Sequence, residues 1–192
     1  MSPMVLAFMS TGVVFVVVCG FLFLSVYNAL IEVRNQVDQT WANIEAVLKQ
    51  RFDEIPQLVQ VTEQFANFEK GVIDRLVKAR ARYGSATRRD QKVKAANEMN
   101  LALQGLFAIG ENYPELKSSE QFLHLQSRIT RLEDTLTDRR EAFNNAVTIY
   151  NTRIAQIPEV FFAGLLQCRP MEQFKVESSE RAKPSVQMKL AG

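Results

Sequence analysis

Charge is missing from the first 31 residues: no Asp, Glu, Lys, Arg or His stands before Glu32. Within that region Val5–Val26 reads VLAFMSTGVVFVVVCGFLFLSV. A helix needs roughly 20 apolar residues to cross a hydrocarbon core of about 30 Å, and this run has that length. Residues 1–26 therefore read as a transmembrane anchor, with Val5, Phe15, Phe21 and Val26 as anchor residues. A cleaved signal peptide is the competing reading. It would need a basic start, a shorter apolar core and small residues before a cleavage site. No Lys or Arg precedes the run, and bulky side chains fill its C-terminal half. A lipoprotein signal would place small residues before a cysteine, whereas Val16-Val17-Val18 stand before Cys19.

Other scarcities exclude more. The chain has two cysteines, Cys19 inside the apolar run and Cys168 far from it, so no intrachain disulfide is expected. Its one histidine, His124, has no His-x-x-x-His, Cys-x-x-Cys or Glu-x-x-His spacing near it, so no metal site is expected. A di-metal bundle would need inward Glu-x-x-His pairs, and a nucleotide or hydrolase site a Walker, GxGxxG or GxSxG motif; none is present. No catalytic residue and no cofactor are therefore expected. The formal net charge is only +2, which gives no global attraction for nucleic acid. Eight glycines and six prolines in 192 residues leave room for long helices.

What is present is helical periodicity. Leu30, Val33, Val37, Trp41, Ile44, Leu48, Phe52 and Ile55 recur at three- and four-residue steps. The stripe continues past Pro56 through Leu58, Phe65, Phe68, Val72, Leu76, Ala79 and Tyr83. That predicts one long helix, kinked at Pro56 and ended by Gly84-Ser85. Nothing in the composition separates Val26 from Leu30, so the anchor can run directly into it. A second helix is predicted over Gln91–Glu111 and stopped by Asn112-Tyr113-Pro114. A third starts at a capping box of Ser118 and Gln121. Its stripe, from Phe122 through Leu125, Ile129, Leu132, Leu136, Phe143, Val147 and Tyr150 to Ile154 and Ile157, is close to a coiled-coil heptad. Pro158 breaks it, and a short apolar helix follows over Glu159–Leu166. Residues 169–192 turn polar and are expected to loosen, with Ser178–Gly192 disordered or extended. The expected fold is all-α: a transmembrane helix, then an antiparallel long-helix bundle of about four helices over 27–168. The roughly 165 residues after the anchor suit one domain.

The run YNALIEVRNQVDQTWANIEAVLKQRFDEIPQLV, Tyr27–Val59, resembles the start of LemA family proteins. There a Tyr-Asn follows the anchor, an Arg-Asn comes seven residues later, and a Leu-Lys-x-Arg leads into Ile-Pro-x-Leu-Val. The resemblance continues through Tyr113–Lys117, Phe122–Gln126, Phe143-Asn144, Tyr150-Asn151 and Ile157-Pro158. It implies a bacterial membrane-anchored helical protein with no established catalysis and no active-site residues to carry over. Many relatives look like lipoproteins with a cysteine just before the Tyr-Asn. Here Cys19 lies eight residues earlier, which supports an uncleaved anchor.

Polar residues beside the stripes are the candidate sites. Asn28 and Asn35 lie seven apart in the first helix, and Asn144 and Asn151 seven apart in the third. With Arg34, and with Arg139 at a heptad position that wants an apolar residue, they form an expected interhelical polar network. The functional reading of this network is a groove for a partner; the structural one is register. Lys78–Lys94 is rich in Lys and Arg and reads as a solvated interhelical turn rather than a lipid or nucleic-acid patch. With an upright first helix, about 55 residues at 1.5 Å each would hold that turn about 80 Å from the bilayer. Phe161, Phe162, Leu165 and Leu166 form an apolar segment that either caps the bundle or meets a partner, with capping slightly favoured.

These observations predict a non-catalytic scaffold whose partners are the lipid bilayer and further copies of itself, organising or shaping the membrane. The alternative is an adaptor or regulator of another membrane protein, such as a quality-control protease or a sensor. Arg34, Lys49 and Arg51 follow the apolar run, against Glu32, Asp38 and Glu45. The N-terminal side offers only its α-amino group, so the Lys and Arg on the C-terminal side favour a bacterial inner-membrane protein, single-pass, with the N-terminus outside and the domain cytoplasmic. A periplasmic or extracellular domain is the other orientation, because long domains translocate regardless of charge.

Overall fold

Apolar residues at helical spacing, with few glycines and prolines to interrupt them, produce helices throughout. The computed structural model describes residues 3–64 and 70–175, with side chains from residue 9. Among the described residues every regular element is helical: α1 Pro3–Glu63, α2 Lys70–Ser85, α3 Arg89–Gly110, α4 Pro114–Lys117, α5 Glu120–Ala155 and α6 Glu159–Leu165. The all-α reading holds. α1 is a single helix of 61 residues that carries the charge-free run and then the stripe from Leu30 to Leu58. Pro56 lies inside it, as the continuous stripe required.

The chain divides into two compact units. One takes in the described residues of Met1–Ile44 and Asp138–Gln173, the other those of Glu45–Thr137 and Phe174–Gly192. In the first unit α1 and α5 run antiparallel. Trp41 meets Phe143 edge-on at 5.4 Å between ring centroids. Further along, the Tyr150 hydroxyl lies in the field of Arg34 and Asp38. Val26, Leu30, Val37, Val147 and Tyr150 are buried there. Val26, read as an anchor residue, belongs to this packed core: it is 7% exposed, while Phe15 and Phe21 are 67% and 72% exposed. Packing, not the end of the apolar run, sets that boundary. The side chain of Val5 lies outside the described residues.

The second unit corrects the first predicted helix. The stripe through Pro56 to Tyr83 is not one helix. α1 ends at Glu63 and α2, which begins at Lys70, runs in the opposite direction; Phe65 and Phe68 of the predicted stripe lie outside the described residues. The Tyr83 ring stacks on Phe52 at 4.0 Å, and its hydroxyl reaches the Glu45 carbonyl at 3.5 Å, so α2 runs back along α1. A three-and-four spacing survives a helical hairpin, because both arms must present apolar residues to the same core. α3 then runs parallel to α1: Lys92 pairs with Glu45, and Arg51 bonds Asn100. α5 returns, with Arg128 on Glu54 and Glu133 on Arg51. The result is an up-down-up-down bundle of α1, α2, α3 and α5. The fourth helix is α2, not the short apolar helix near the C-terminus.

Local signals were read to within a residue or two. α3 begins at Arg89, where the Gln91 side-chain oxygen accepts from the backbone N–H groups of Thr87 and Arg88 at 3.2 and 3.3 Å. The cap of α5 is Ser119, not Ser118. Ser119 Oγ accepts from the Phe122 N–H at 3.4 Å. Pro114 nucleates the four-residue turn α4, since its missing N–H costs nothing at a helix start. Ser118 ends that turn, and its hydroxyl points back to the Glu115 carbonyl at 3.0 Å.

Candidate functional site

In the first unit the site is built where the apolar run of α1 ends. α5 stops at Ala155, and the chain turns through Ile157 and Pro158 into α6. Arg153 Nε forms an ion pair with Glu159 at 2.8 Å, which neutralises the one acid of α6 where it is buried. Ala163, one turn on, is also buried. The opposite face is bare: Ile157, Phe161 and Leu165, four residues apart, are 78%, 72% and 73% exposed. α6 is therefore no core cap, because the residues a cap would bury point outward. Phe162, between the faces, meets Phe23 of α1 edge-on at 5.5 Å. Phe23 in turn stacks near Tyr27 at 6.4 Å. Leu166 is half-buried.

α6 ends in a Schellman motif. The Cys168 N–H reaches the Ala163 carbonyl at 2.9 Å and the Gln167 N–H reaches Gly164 at 3.3 Å. Gln167 holds the left-handed position, φ 53°, that glycine usually fills. Beyond it the polar segment does not loosen at once. Asn151 Nδ2 donates to the Met171 carbonyl and the Met171 N–H donates to Asn151 Oδ1, both at 2.9 Å. Gln173 donates to Thr148 Oγ1 at 3.0 Å. Residues 176–192, including the Ser178–Gly192 stretch expected to be disordered or extended, lie outside the described residues.

The asparagine network is corrected by this arrangement. Asn28, Arg34 and Asn35 are exposed, and Asn151 serves the chain after α6 rather than a facing helix. Asn144 is half-buried. Arg139 is exposed, and its neighbour Arg140 is the buried one, at 6%. At 3.6 residues per turn, Arg140 lies about 40° to one side of Leu136 and Arg139 about 60° to the other. The core lies on the Arg140 side. Tyr150 is inside the same unit, and its pKa is raised by burial first and by Cys168 second.

The second unit holds a buried polar cluster that the sequence reading missed. Arg51, 3% exposed, donates to Asn100 Oδ1 and pairs with Glu133. Asn100 Nδ2 closes the triangle on Glu133 at 3.3 Å. Glu54, also buried, pairs with Arg128. A signal was available. Val47, Arg51, Glu54, Leu58 and Val61 form a second three-and-four stripe on α1, and Asn100 falls between Ala96 and Leu103 on α3. A polar residue at a core step marks a buried partner. Beside this cluster the Tyr83 pKa is pushed up to about 12 by burial and by the carboxylates of Glu45 and Asp53.

The basic turn is a turn with much of its charge paired: Arg82 with Glu98, Arg88 with Asp90, Lys92 with Glu45. His124 lines an open cleft of about 970 Å³ with Gln57, Gln60, Gln64, Gln121 and Arg128. Those walls offer amide, imidazole and guanidinium groups. Among the described residues no three His, Cys, Asp or Glu side chains gather as a metal site.

Comparison with known proteins agrees with this architecture. Three relatives are named magnetosome protein MamQ. That of Magnetospirillum gryphiswaldense is 32% identical over 73 residues, 38% of this chain and 27% of the relative. MamQ 1 of Paramagnetospirillum magneticum is 31% identical over 74 residues, with the same shares. The chain thus spans about a quarter of the length of these relatives. Protein LemA of Metamycoplasma hominis is 21% identical over 169 residues, 83% of this chain and 77% of the relative. The LemA family itself matches residues 40–188, across both units and most of the sequence. With its apolar helix leading into a helical bundle, the chain belongs to the LemA family.

Proposed function

We propose that this protein is a non-catalytic helical scaffold, anchored in the bacterial cell membrane by α1 and self-associating there. One observation carries the reading. The apolar part of α1 is as hydrophobic as a bilayer span, yet only 11% of its best window is buried. A soluble core helix of that composition would be covered by its neighbours. This run is instead left for lipid, and the same helix continues into packed units. Its relatives are named for a family and for a magnetosome, not for a reaction.

Anchored copies share one plane and one orientation, which raises their effective concentration, so weak lateral contacts add up. Exposed apolar side chains such as Val77, Leu101 and Ile149 are spread along the units and suit contacts of that strength. The test is the size of the detergent-extracted full-length particle, with crosslinked neighbours identified. A particle of several copies is expected. A chain that stays monomeric in mild detergent and in nanodiscs at high loading would overturn the scaffold and favour an adaptor for another membrane protein.

The same proposal places the N-terminus outside and the helical units in the cytoplasm. Cysteine labelling of intact cells, in a chain lacking Cys19 and Cys168, tests it. A membrane-impermeant probe should reach Ser2→Cys and not Ser119→Cys. The opposite pattern would put the units outside.

A further inference from the structure

The structure leaves one apolar face uncovered that the scaffold reading does not use. Ile157, Phe161 and Leu165 stand on one side of α6 and the turn before it, each more than 70% exposed. Between Gln156 and Cys168 the one charged residue is Glu159, and it is buried against Arg153. Among the described residues the face is thus free of charge as well as of cover. Its place in the fold says what covers it. Phe162, next to this face, packs on Phe23, three residues inside the C-terminal end of the apolar run. Phe23 and Tyr27 form the aromatic pair at that end, the residue types that gather where acyl chains meet headgroups. The bare face of α6 is therefore continuous with the lipid-facing surface of α1. Arg169, exposed just after the α6 cap, can extend its head toward phosphates while its stem stays apolar.

We propose that α6 is a second membrane element: it lies in the acyl–headgroup boundary beside α1, with Ile157, Phe161 and Leu165 in contact with lipid. A short helix with its charge neutralised on the protein side and apolar residues on the other suits that boundary. The bilayer then holds the first unit at two places, the span and α6. This assignment rests on α1 spanning the bilayer, and the test separates the two.

In a full-length Trp41→Phe chain, single tryptophans are placed at Leu165, at Val16 in the span and at Val77 in the second unit. Each variant is put into nanodiscs whose acyl chains carry bromine either near the headgroup or near the chain end. Leu165→Trp should be blue-shifted and quenched most by the shallow bromines. Val16→Trp should be quenched most by the deep ones, and Val77→Trp by neither. Quenching at Val16 without quenching at Leu165 would overturn the assignment and leave the span standing. No quenching at Val16 would overturn both. A blue-shifted, unquenched Leu165→Trp that crosslinks to another copy would give the face to self-association and overturn the lipid assignment. The same comparison with bimane on Leu165→Cys, in a Cys19→Ala, Cys168→Ala chain, keeps Trp41 in its packing.

Discussion

An arginine that is 3% exposed has to be answered by its neighbours, and Arg51 is answered by Asn100 and Glu133. Removing one partner leaves a charge without compensation in a region of low dielectric. Arg51→Ala should cost about 3 kcal/mol or more. Replacing both ends by apolar residues of similar volume, Arg51→Met with Glu133→Leu, should cost much less, because the desolvation of both charges is removed together. Urea unfolding of the four chains of that cycle measures the difference; equal losses in single and double variants would show the pair is not coupled. Tyr83 makes a second residue-scale prediction. Its folded pKa of about 12 lies above the ordinary value of 10.0. Below pH 10 the folded and unfolded states both hold the phenol proton, and the favourable burial is intact. Between about pH 10 and 12 the unfolded chain loses that proton first, so stability falls as pH rises. Tyr83→Phe keeps the ring on Phe52 and should remove this part of the alkaline loss, read by thermal melting and by tyrosinate absorbance. These residues were legible only in part. The apolar stripe of α1 is plain from the spacing, but it runs along one line, and Arg51 and Glu54 lie on a second buried line that a single stripe does not trace. Arg139 and Arg140 both lie at three- or four-residue steps from Leu136 and Phe143, so spacing alone does not mark Arg140 as the buried one.

At the scale of elements the sequence announces helices more clearly than it announces where they turn. Proline at 56 marks a discontinuity in sequence yet lies inside α1, while the opposite direction of α2 leaves the apolar spacing unchanged. Periodicity reports which side of a segment is apolar, and both arms of an antiparallel pair report the same side. The α5 cap moved by one residue for a different reason: two serines stand together, and only the α4 turn decides which of them starts the next helix. Composition marks α6 and leaves two roles open for its apolar face, cap or contact surface, since apolar residues alone do not say what meets them; the exposure of Phe161 and Leu165 decides for the second. The end of α6 supplies its own prediction. Gln167 holds a left-handed conformation that costs a side-chain residue roughly 1–2 kcal/mol. Gln167→Gly should recover part of it, on the order of 0.5–1 kcal/mol after the added freedom of the unfolded glycine. A higher melting temperature of the full chain with unchanged circular dichroism is the expected result; a lower one would mean that the Gln167 side chain contributes more than its backbone costs.

For the whole molecule, one helix, α1, carries both an exposed apolar run and a buried stripe. If the proposed span and scaffold hold, deleting residues 1–26 should abolish membrane retention, measured by flotation, and should lower self-association by dilution alone. The loss of Val26 from the first core adds a small destabilisation, which Val26 restored behind a soluble leader would repair. Asn151 carries a consequence of another kind. Its two hydrogen bonds to Met171 join positions 20 apart and close a loop that contains all of α6. Closing a loop of that size costs about 3 kcal/mol of chain entropy, and two hydrogen bonds return about 1–3 kcal/mol. The noose is thus near balance without its apolar tip. Asn151→Leu should speed hydrogen exchange across 157–171 while the α1–α5 pairing keeps its protection. Lipid that grips the tip tightens the knot, and a tight knot presents the tip to lipid: the loop and the bilayer are thermodynamically linked, each setting the other's occupancy.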